Sequence, residues 1–526
     1  MQRYALTVDK FLDHAAKWHR SAGVVSAVAR GESQRITYDQ LRIRSHLLSG
    51  AFLDQGCVRG DRIATLAWNT QDHLTFYYAA MGAGLTCHTL NPRLSVAHLA
   101  RMANEAQDRW IAVGAGLQFL AGQLLEQCPS VETLILLDGE QPEEKLAAGA
   151  RRWRLEDLLR LFGRHAEWGD FDEETPAGLC YTSGTIGQPK GVLYTHRSNY
   201  LQTLRSLQAD AMALTLADTV LVAVPMFHAN GWGLPFAAPA VGACMVLPGR
   251  STEPAHLHNL IVTEQVTVAA AVQTVWLGLV DYLEKSGESV PTLGRVVVGG
   301  SHCPEALLRR IENGLGVRVQ TSWGMTELSP LGTIEPPDIP TQPGPRTSGR
   351  APMGLDLKLV DAEGIALPEQ RMSVGRLMVR GASVVDRYFN EPKDVLDAEG
   401  YFDTGDLGLI DEAGNLMITG RAKDLIKSGG EWINPRELED IIGGLPEVAL
   451  VAVVGRPHPK WGERPVLVVE LLAGRTPKEA ELLSALRGKV PDWWLPDQIV
   501  FLEKMPLAAT GKIDKNSLRE RFPECE

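Results

Sequence analysis

From Tyr181 to Gly191 the chain reads Tyr-Thr-Ser-Gly-Thr-Ile-Gly-Gln-Pro-Lys-Gly, a run that gathers hydroxyls, glycines and a lysine within one turn's length. Together these residue types can hold phosphate. Gly184, Gly187 and Gly191 let backbone N–H groups converge on an anion where side chains would forbid it. Thr182, Ser183 and Thr185 add hydroxyl donors, and Lys190 supplies a mobile positive charge. The lysine is followed by Gly191 and not by Ser or Thr, so this is no Walker A loop, which points away from P-loop ATPases, GTPases and kinases of that fold. Taken alone, the run also reads as a solvated Ser/Thr/Gly linker.

A phosphate loop works only where elements hold it. Ala177 to Cys180 is a short apolar stretch suited to a buried strand, so the loop leaves a strand's C-terminal end, where open α/β sheets place ligands. Apolar, β-branched runs at residues 219–224, 266–272 and 296–298 alternate with helical patterns such as residues 304–312, the rhythm of a mostly parallel sheet with crossover helices. Residues 335–345 are rich in proline and read as an irregular loop. Beyond Gly354 the strands shorten and alternate, at residues 355–360 and 375–380, around a turn at 361–364. Near Gly420 a Gly/Arg/Lys/Asp run separates a strand at 416–419 from a terminal unit. That unit reads as a helix at 435–445, strands at 448–454 and 465–471, and a helix from about Pro477. The expected fold is α/β: a large N-terminal domain, residues 1–420, of mostly parallel sheets with helices, including a β-rich subdomain at about 350–420, and a small mobile α+β domain, residues 421–526.

At 526 residues the chain exceeds the size at which a single core keeps growing, in keeping with more than one domain. Hydrophobic residues at 44% and charged residues at 22% fit a folded enzyme and not a disordered chain. A net charge of −12 argues against nucleic acid as the main partner, so an anionic ligand must be met by local cations. Cys57, Cys87, Cys128, Cys180, Cys244, Cys303 and Cys525 are scattered without a C-x-x-C pair. They indicate neither a disulfide framework nor a zinc site, and a cytoplasmic location is expected. The charged N-terminal residues offer no signal-peptide core, and the closing Pro-Glu-Cys-Glu is no peroxisomal address. Residues 219–249 carry no Asp, Glu, Lys or Arg, but Pro225, Pro235, Pro239 and Pro248, with His228 and Asn230, would break a spanning helix. They read instead as a strand, a pocket-lining loop, a short helix and a second strand.

Further motifs follow the phosphate loop in order. They are Val-Pro-Met-Phe-His-Ala-Asn-Gly-Trp at 224–232, Gly299-Gly300-Ser301, and Gln-Thr-Ser-Trp-Gly-Met-Thr-Glu at 320–327. Tyr-Phe-Asp-Thr-Gly-Asp at 401–406, Gly-Arg-Ala-Lys-Asp-Leu-Ile-Lys-Ser-Gly-Gly-Glu-Trp-Ile at 420–433 and Ala-Ala-Thr-Gly-Lys-Ile-Asp at 508–514 complete the set. Each is weak alone, but in this order and spacing they resemble, over nearly the whole chain, the adenylate-forming superfamily of acyl-CoA synthetases, luciferases and peptide-synthetase adenylation domains. The pattern is nearest to that of medium- and long-chain fatty-acyl-CoA synthetases.

The resemblance implies ATP-dependent activation of a carboxylic acid, with ATP, Mg²⁺ and coenzyme A as cofactors or co-substrates. Acid and Mg-ATP would give acyl-adenylate and pyrophosphate, and the CoA thiol would then displace AMP. Thr182, Ser183, Gly184, Thr185, Gly187 and Lys190 would grip the phosphates. Gly299, Gly300 and Ser301, with Gln320, Thr321, Ser322, Trp323, Gly324, Met325 and Thr326, would form the nucleotide slot, Trp323 offering an aromatic face to the purine. Asp406 would accept the ribose hydroxyls, Arg421 would donate to ribose or phosphate, and Glu327 with Thr182 would hold Mg²⁺. Lys512 would stabilise the charge that develops when a carboxylate attacks an anionic phosphate. For the second step the small domain would turn about Lys423, bringing Gly429, Gly430, Glu431 and Trp432 to line the pantetheine channel. His228 and Trp232 would meet the acid, together with Gly300, Trp323 and Pro330; the catalytic set implied is Lys512, Glu327, Thr182 and His228. Each residue also has a plain structural reading. Trp323 can be a core aromatic, Glu327 a helix cap, Asp406 a turn cap, Lys512 a surface charge, His228 a structural histidine, and residues 428–432 a β-turn with a surface tryptophan. Two departures from the family pattern are Ile186, where threonine is usual, and Trp323, where tyrosine is commoner and a hydroxyl is therefore lost.

No Asp or Arg occurs at residues 226–239 or 272–276, which disfavours an amino acid, whose ammonium needs a counter-charge. An apolar acid is expected, a medium- or long-chain fatty acid first, with short thioether, branched or aryl acids as rivals. A luciferase-like oxygenase would share the adenylate and then oxidise it. A silent binding module is opposed by the joint presence of Lys190, Glu327, Asp406, Arg421 and Lys512. The expected partners are small molecules, with no nucleic acid and no transmembrane segment; a homodimer is left open.

Overall fold

The apolar runs of the N-terminal four hundred residues become buried strands of two large sheets. The structure is a computed structural model and describes residues 1–2, 4–28, 32–141, 150–182, 188–337, 346–472, 474–508 and 511–522. One sheet has eight strands in the order Leu331–Ile334, Arg318–Gly324, Arg295–Val298, Val268–Ala271, Thr219–Val222, Cys244–Leu247, Gly23–Ala27 and Ser33–Thr37. Its inner pairings are parallel and both outer ones antiparallel. Val268–Ala271 is buried at every position, as a strand covered by helices on both faces must be. The second sheet has seven strands: Arg151–Arg154, Thr133–Leu136, Trp110–Val113, Arg62–Leu66, Thr86–Thr89, Pro176–Tyr181 and Gly191–Thr195. All its pairings are parallel except the last. The phosphate loop therefore joins two antiparallel strands at a sheet edge, with Tyr181 opposite Gly191.

Residues 219–249 fold as the strand Thr219–Val222, a 3₁₀ turn Ala229–Gly233, the helix Leu234–Val241 and the strand Cys244–Leu247. Among the described residues no helix is long and apolar enough to cross a membrane. The helix His196–Ser206 follows directly on Gly191–Thr195 and starts at a capping box: Thr195 accepts from the Ser198 amide while Ser198 accepts from the Thr195 amide.

A four-stranded antiparallel sheet follows, Leu355–Val360, Val374–Gly381, Phe402–Ile410 and Leu416–Arg421. Its last strand runs two residues beyond the expected end at Thr419, because Gly420 and Arg421 keep their places in the ladder opposite Leu407 and Asp406. Only after the 3₁₀ turn Ala422–Asp424 does the chain enter the C-terminal sheet of Ile426–Ser428, Glu431–Ile433, Val448–His458, Gly462–Leu471 and Gln498–Leu502. The helices Pro435–Gly443, Glu479–Leu486 and Lys515–Arg521 complete that unit. The whole is a mixed α/β protein with a large N-terminal domain of mostly parallel sheets and a small C-terminal domain.

Candidate active site

A cleft of about 800 Å³ lies between the large domain and the C-terminal domain, and a second cavity of about 430 Å³ adjoins it on the large domain's side. Both are lined by Gly300, Ser322, Trp323, Gly324, Arg421, Lys423 and Lys512, so the two share their central wall. Residues more than two hundred positions apart in sequence, Gly300 and Lys512 among them, meet there.

One wall is a planar arrangement around Trp323. Its indole N–H donates to Asp406 Oδ2 at 2.8 Å, and Arg421 Nε sits 3.0 Å from Asp406 Oδ1. Both carboxylate oxygens thus already have a protein donor. Gly299 is required by close approach: a Cβ there would lie 2.3 Å from Ser322 Oγ. Gly332 lies similarly under the Trp323 ring, where a Cβ would come to 2.4 Å. Thr321 and Ser322 hydroxyls donate to the Thr347 and Val298 carbonyls, and both residues line the cleft with Ser301. Gln320 does not. Its amide is fully buried, donating to the Ala211 and Glu335 carbonyls and accepting from Arg295, which makes it a strut behind the slot.

Another side of the smaller cavity is built from Thr182, Lys190, Glu327 and Tyr388. The Thr182 amide donates to the Lys190 carbonyl at 2.9 Å and the Lys190 amide returns a bond to Thr182 Oγ1 at 3.1 Å, closing the neck of the loop. Ser183, Gly184, Thr185 and Gly187, and with them Ile186, lie outside the described residues. Lys190 is exposed, with its ammonium 4.5 Å from the centre of the Tyr388 ring. The Tyr388 hydroxyl donates to Glu327 Oε1 at 3.0 Å. Glu327 and Thr326 are buried in the 3₁₀ turn Thr326–Leu328, which is held by the Tyr194 hydroxyl on the Thr326 carbonyl at 2.7 Å and by the Val385 amide on the Glu327 carbonyl at 2.8 Å. Burial raises the Glu327 carboxyl above its ordinary value, opposed by the Tyr388 bond and by Arg421. Tyr388 has no counterpart among the sequence-predicted residues. Its signal, an aromatic in a turn-rich stretch, says nothing until folding sets it between a lysine and a carboxylate.

The remaining wall carries His228 and Trp232. Ala229, Asn230, Gly231, Trp232 and Gly233 all have positive φ, from 43° to 76°, so a short left-handed turn holds the tryptophan. Such backbone costs on the order of 1–2 kcal/mol for each residue with a Cβ, and its surroundings must over-determine it. The segments flanking the turn are held from Asn69 and the helix Gln71–Gly82. The Asn69 amide donates to the Val222 and Val224 carbonyls at 2.9 and 2.7 Å and accepts from the Met226 amide at 2.7 Å. Tyr77 bonds the Met226 carbonyl, and Tyr78 bonds that of Pro235 at 2.9 Å. The Trp232 ring consequently lies over the Gly299-Gly300 turn, 3.1 Å from where a Gly299 Cβ would stand. At Gly300 the two side chains converge: Lys512 Cε comes within 3.5 Å and the Trp232 ring within 3.6 Å of where a Cβ would stand. Burial, then Arg421, lowers Lys512 to about 8, while Asp406 and Glu327 act in the opposite sense. Burial and the Lys512 charge lower His228 to about 4, so its imidazole is neutral at pH 7.

Met325, Thr326 and Pro330 line the smaller cavity. Gly429, Gly430, Glu431 and Trp432 line neither space. Gly429 and Gly430, with φ of 62° and 93°, form the two-residue turn of the hairpin Ile426–Ser428 to Glu431–Ile433, and Trp432 is half exposed with Lys427 over its ring. In this arrangement of domains the lysine faces the site and the hairpin does not.

The sequence model described as AMP-binding enzyme matches residues 11–389, and the one described as AMP-binding enzyme C-terminal domain matches residues 437–512. The 3-methylmercaptopropionyl-CoA ligase of Ruegeria lacuscaerulensis is 40% identical, over 100% of this chain and 99% of that protein. The medium-chain-fatty-acid–CoA ligase of Ectopseudomonas oleovorans is 39% identical, over 99% of this chain and 97% of that one. The crystal structure of ATP-bound MatB from Rhodopseudomonas palustris superposes with a TM-score of 0.86 at 25% identity, over 99% of both chains. With the expected motifs gathered around one cleft and relatives of this similarity matched end to end, the chain belongs to the AMP-binding enzyme family.

Proposed function

We propose that the chain is an AMP-forming acyl-CoA ligase that activates an aliphatic carboxylic acid. The observation that carries this reading is the placement of Lys512, brought from the C-terminal domain to Gly300, between the Trp323–Asp406 wall and Trp232. ATP would lie with its base along Trp323 and Gly299–Gly300, its ribose against Asp406, and its terminal phosphates toward Lys190. The acid would enter beside Trp232 and His228, its carboxylate meeting Lys512. A carboxylate oxygen attacks the α-phosphorus, the bond to the bridging oxygen breaks, and pyrophosphate leaves with the electron pair. Lys512 offsets the negative charge gathered on the equatorial oxygens. The neutral His228 can donate or accept a hydrogen bond at the carboxylate without adding a second positive charge.

Magnesium is implied by the chemistry. Glu327 suits it: a buried carboxylate held above its ordinary pKa, with Tyr388 as its neutral donor, is one that a cation would stabilise. Among the described residues no group of three His, Cys, Asp or Glu forms a protein cage, so the remaining ligands would be phosphate oxygens and water, with Thr182 at the loop's neck nearby. When bound, the ion neutralises phosphate charge.

In the second step the CoA sulfur, as thiolate, attacks the acyl carbon and AMP leaves. Lys512 has no part in that displacement. The short 3₁₀ turn at Lys423, between the end of one sheet and the start of the next, is the proposed hinge, dividing residues 1–420 from 421–526 to within a residue or two. Turning there would withdraw Lys512 and bring the Gly429–Gly430 hairpin to the cleft.

The acid's identity is the finer part of the reading. The similar proteins named above act on a thioether acid and on medium-chain fatty acids, and the Trp232 wall suits an aliphatic body of either kind. Release of AMP across acids of graded length, with and without CoA, tests the proposal. CoA-dependent AMP release with at least one aliphatic acid is expected; adenylate that is consumed only with oxygen uptake, or no pyrophosphate with any acid, would overturn it.

A further inference from the structure

The smaller cavity lies at the C-terminal ends of two neighbouring parallel strands and goes no deeper along them. From Arg318–Gly324 it is lined by Ser322, Trp323 and Gly324, and from the turn after Arg295–Val298 by Gly300; no earlier residue of either strand lines it. Met212 and Leu331 line it as well, and both are almost wholly enclosed, at 2% and 6% exposed.

Met212 is the informative one, because its backbone is fastened below that level. The Ala211 carbonyl accepts from the Gln320 amide at 3.1 Å, the Met212 carbonyl accepts from Arg295, and the Ala213 carbonyl accepts from Arg295 Nη2 at 3.2 Å. Gln320 stands two residues before Ser322, about 7 Å down the strand at roughly 3.3 Å per residue. Arg295 is opposite Arg318, further down still. A residue tied there meets the cavity from underneath. The segment is also held from its other side: the Met212 and Ala213 amides donate to the Ser206 and Gln208 carbonyls at 2.9 and 3.2 Å, and Ala213 is fixed at a φ of 47°. Lys512 and Trp232 converge at the upper end, over Gly300.

We infer that Met212 is the floor of the acyl pocket and restricts the enzyme to short acids, with about five chain atoms or fewer beyond the carboxylate. The inference rests on the ligase reading and narrows its substrate. An extended chain gains at most about 1.5 Å per bond, so roughly five atoms cover the ~7 Å between Ser322 and the level at which Met212 is anchored. The Met212 side chain takes part of that depth. A longer acid has to push the thioether aside, and because that side chain is unbranched and adaptable, the limit is graded and not absolute.

The test follows pyrophosphate release by the full-length protein with straight-chain acids of four, six, eight, twelve and sixteen carbons, in wild type, Met212→Ala and Met212→Leu. In wild type kcat/KM is expected to peak at six carbons or fewer and to be lower by about tenfold or more at twelve, on the scale of a misplaced methylene. Met212→Ala takes three side-chain atoms from the floor. It is expected to raise the ratio of kcat/KM for the eight-carbon acid over the four-carbon acid by about tenfold or more, with the KM for ATP changed by less than about threefold. A merely structural role would lower every acid together and leave that ratio alone. Should Met212→Ala fold poorly, as its thermal midpoint would show, Met212→Leu carries the measurement: it is a swap of similar volume that cores tolerate, and the ratio is expected to rise about twofold to threefold. A twelve- or sixteen-carbon acid equal or preferred in wild type, or a ratio unmoved in a variant that keeps the wild-type midpoint, would overturn the inference and leave the ligase reading standing. Absence of pyrophosphate with every acid would instead overturn the ligase reading and this inference with it.

Discussion

Lys512 shows what a residue's surroundings add to its type. In the sequence it is one lysine in a Thr-Gly-Lys segment; in the structure it is lowered from an ordinary 10.5 to about 8 by burial and by Arg421. In the proposed role its working form is the ammonium, so kcat/KM for adenylate formation, which reports the free enzyme, is expected to fall as pH rises through about 8. Lys512→Arg should abolish that alkaline limb, whatever its rate, because a guanidinium stays charged. The stability sign is the opposite. Between about 8 and 10.5 the unfolded chain holds a proton that the native chain does not, so this residue's contribution to stability rises with pH across that window. Lys512→Ala is expected to reduce adenylate formation by a thousandfold or so, on the scale of losing one transition-state charge contact, while sparing thioester formation from supplied acyl-adenylate. Equal loss of both half-reactions, measured in separate assays, would refute its assignment to the first. Gln320 is the contrasting residue: it stands within a matching motif, yet alternation along its strand turns it inward to three structural bonds.

At the scale of elements, turns do the positioning. The Gly299–Gly300 turn must let Ser322 approach from beneath and the Trp232 ring lie above. Gly299→Ala would place a methyl group 2.3 Å from Ser322 Oγ and 3.1 Å from the tryptophan ring. Either the slot opens or Trp232 shifts, and a rise of tenfold or more in the KM for ATP is expected, with the thermal midpoint lowered by a few degrees; unchanged nucleotide kinetics would show that the turn can relax elsewhere. The left-handed turn Ala229–Gly233 was legible only as a loop of small residues between apolar runs. The segments on either side of it are tied to Asn69 and, on the helix Gln71–Gly82, to Tyr77 and Tyr78, about 150 residues earlier in the chain. The parallel strands themselves were far easier to read, since burial on both faces leaves near-continuous Val, Ile, Leu and Ala runs. Their ends were less so: the strand through Arg421 continues because its partner strand places Asp406 opposite, which no local pattern announces.

For the molecule as a whole, polar contacts join the large domain to the C-terminal domain beside the cleft. His302, just past the Gly299–Ser301 turn, hydrogen-bonds Asp440 on the C-terminal domain's helix Pro435–Gly443, and Thr274 bonds the Gly511 carbonyl at 3.5 Å. Polar contacts of this kind can be broken and remade during a catalytic cycle. His302→Ala is expected to slow adenylate formation by about threefold to tenfold, the worth of one such bond, without slowing the thioester half-reaction. A parallel decline of both would mean that the pair supports folding and not the domain arrangement. By itself the sequence identified the family and the order of the parts, because several short motifs stand along the chain in that family's order and rough spacing. Tertiary structure decided which of them meet. It set Tyr388 between Lys190 and Glu327, turned the indole of Trp323 to Asp406 and kept the Gly429–Gly430 hairpin out of the cleft. Those outcomes depend on side chains converging from separate strands and domains, and convergence in space has no period along a sequence.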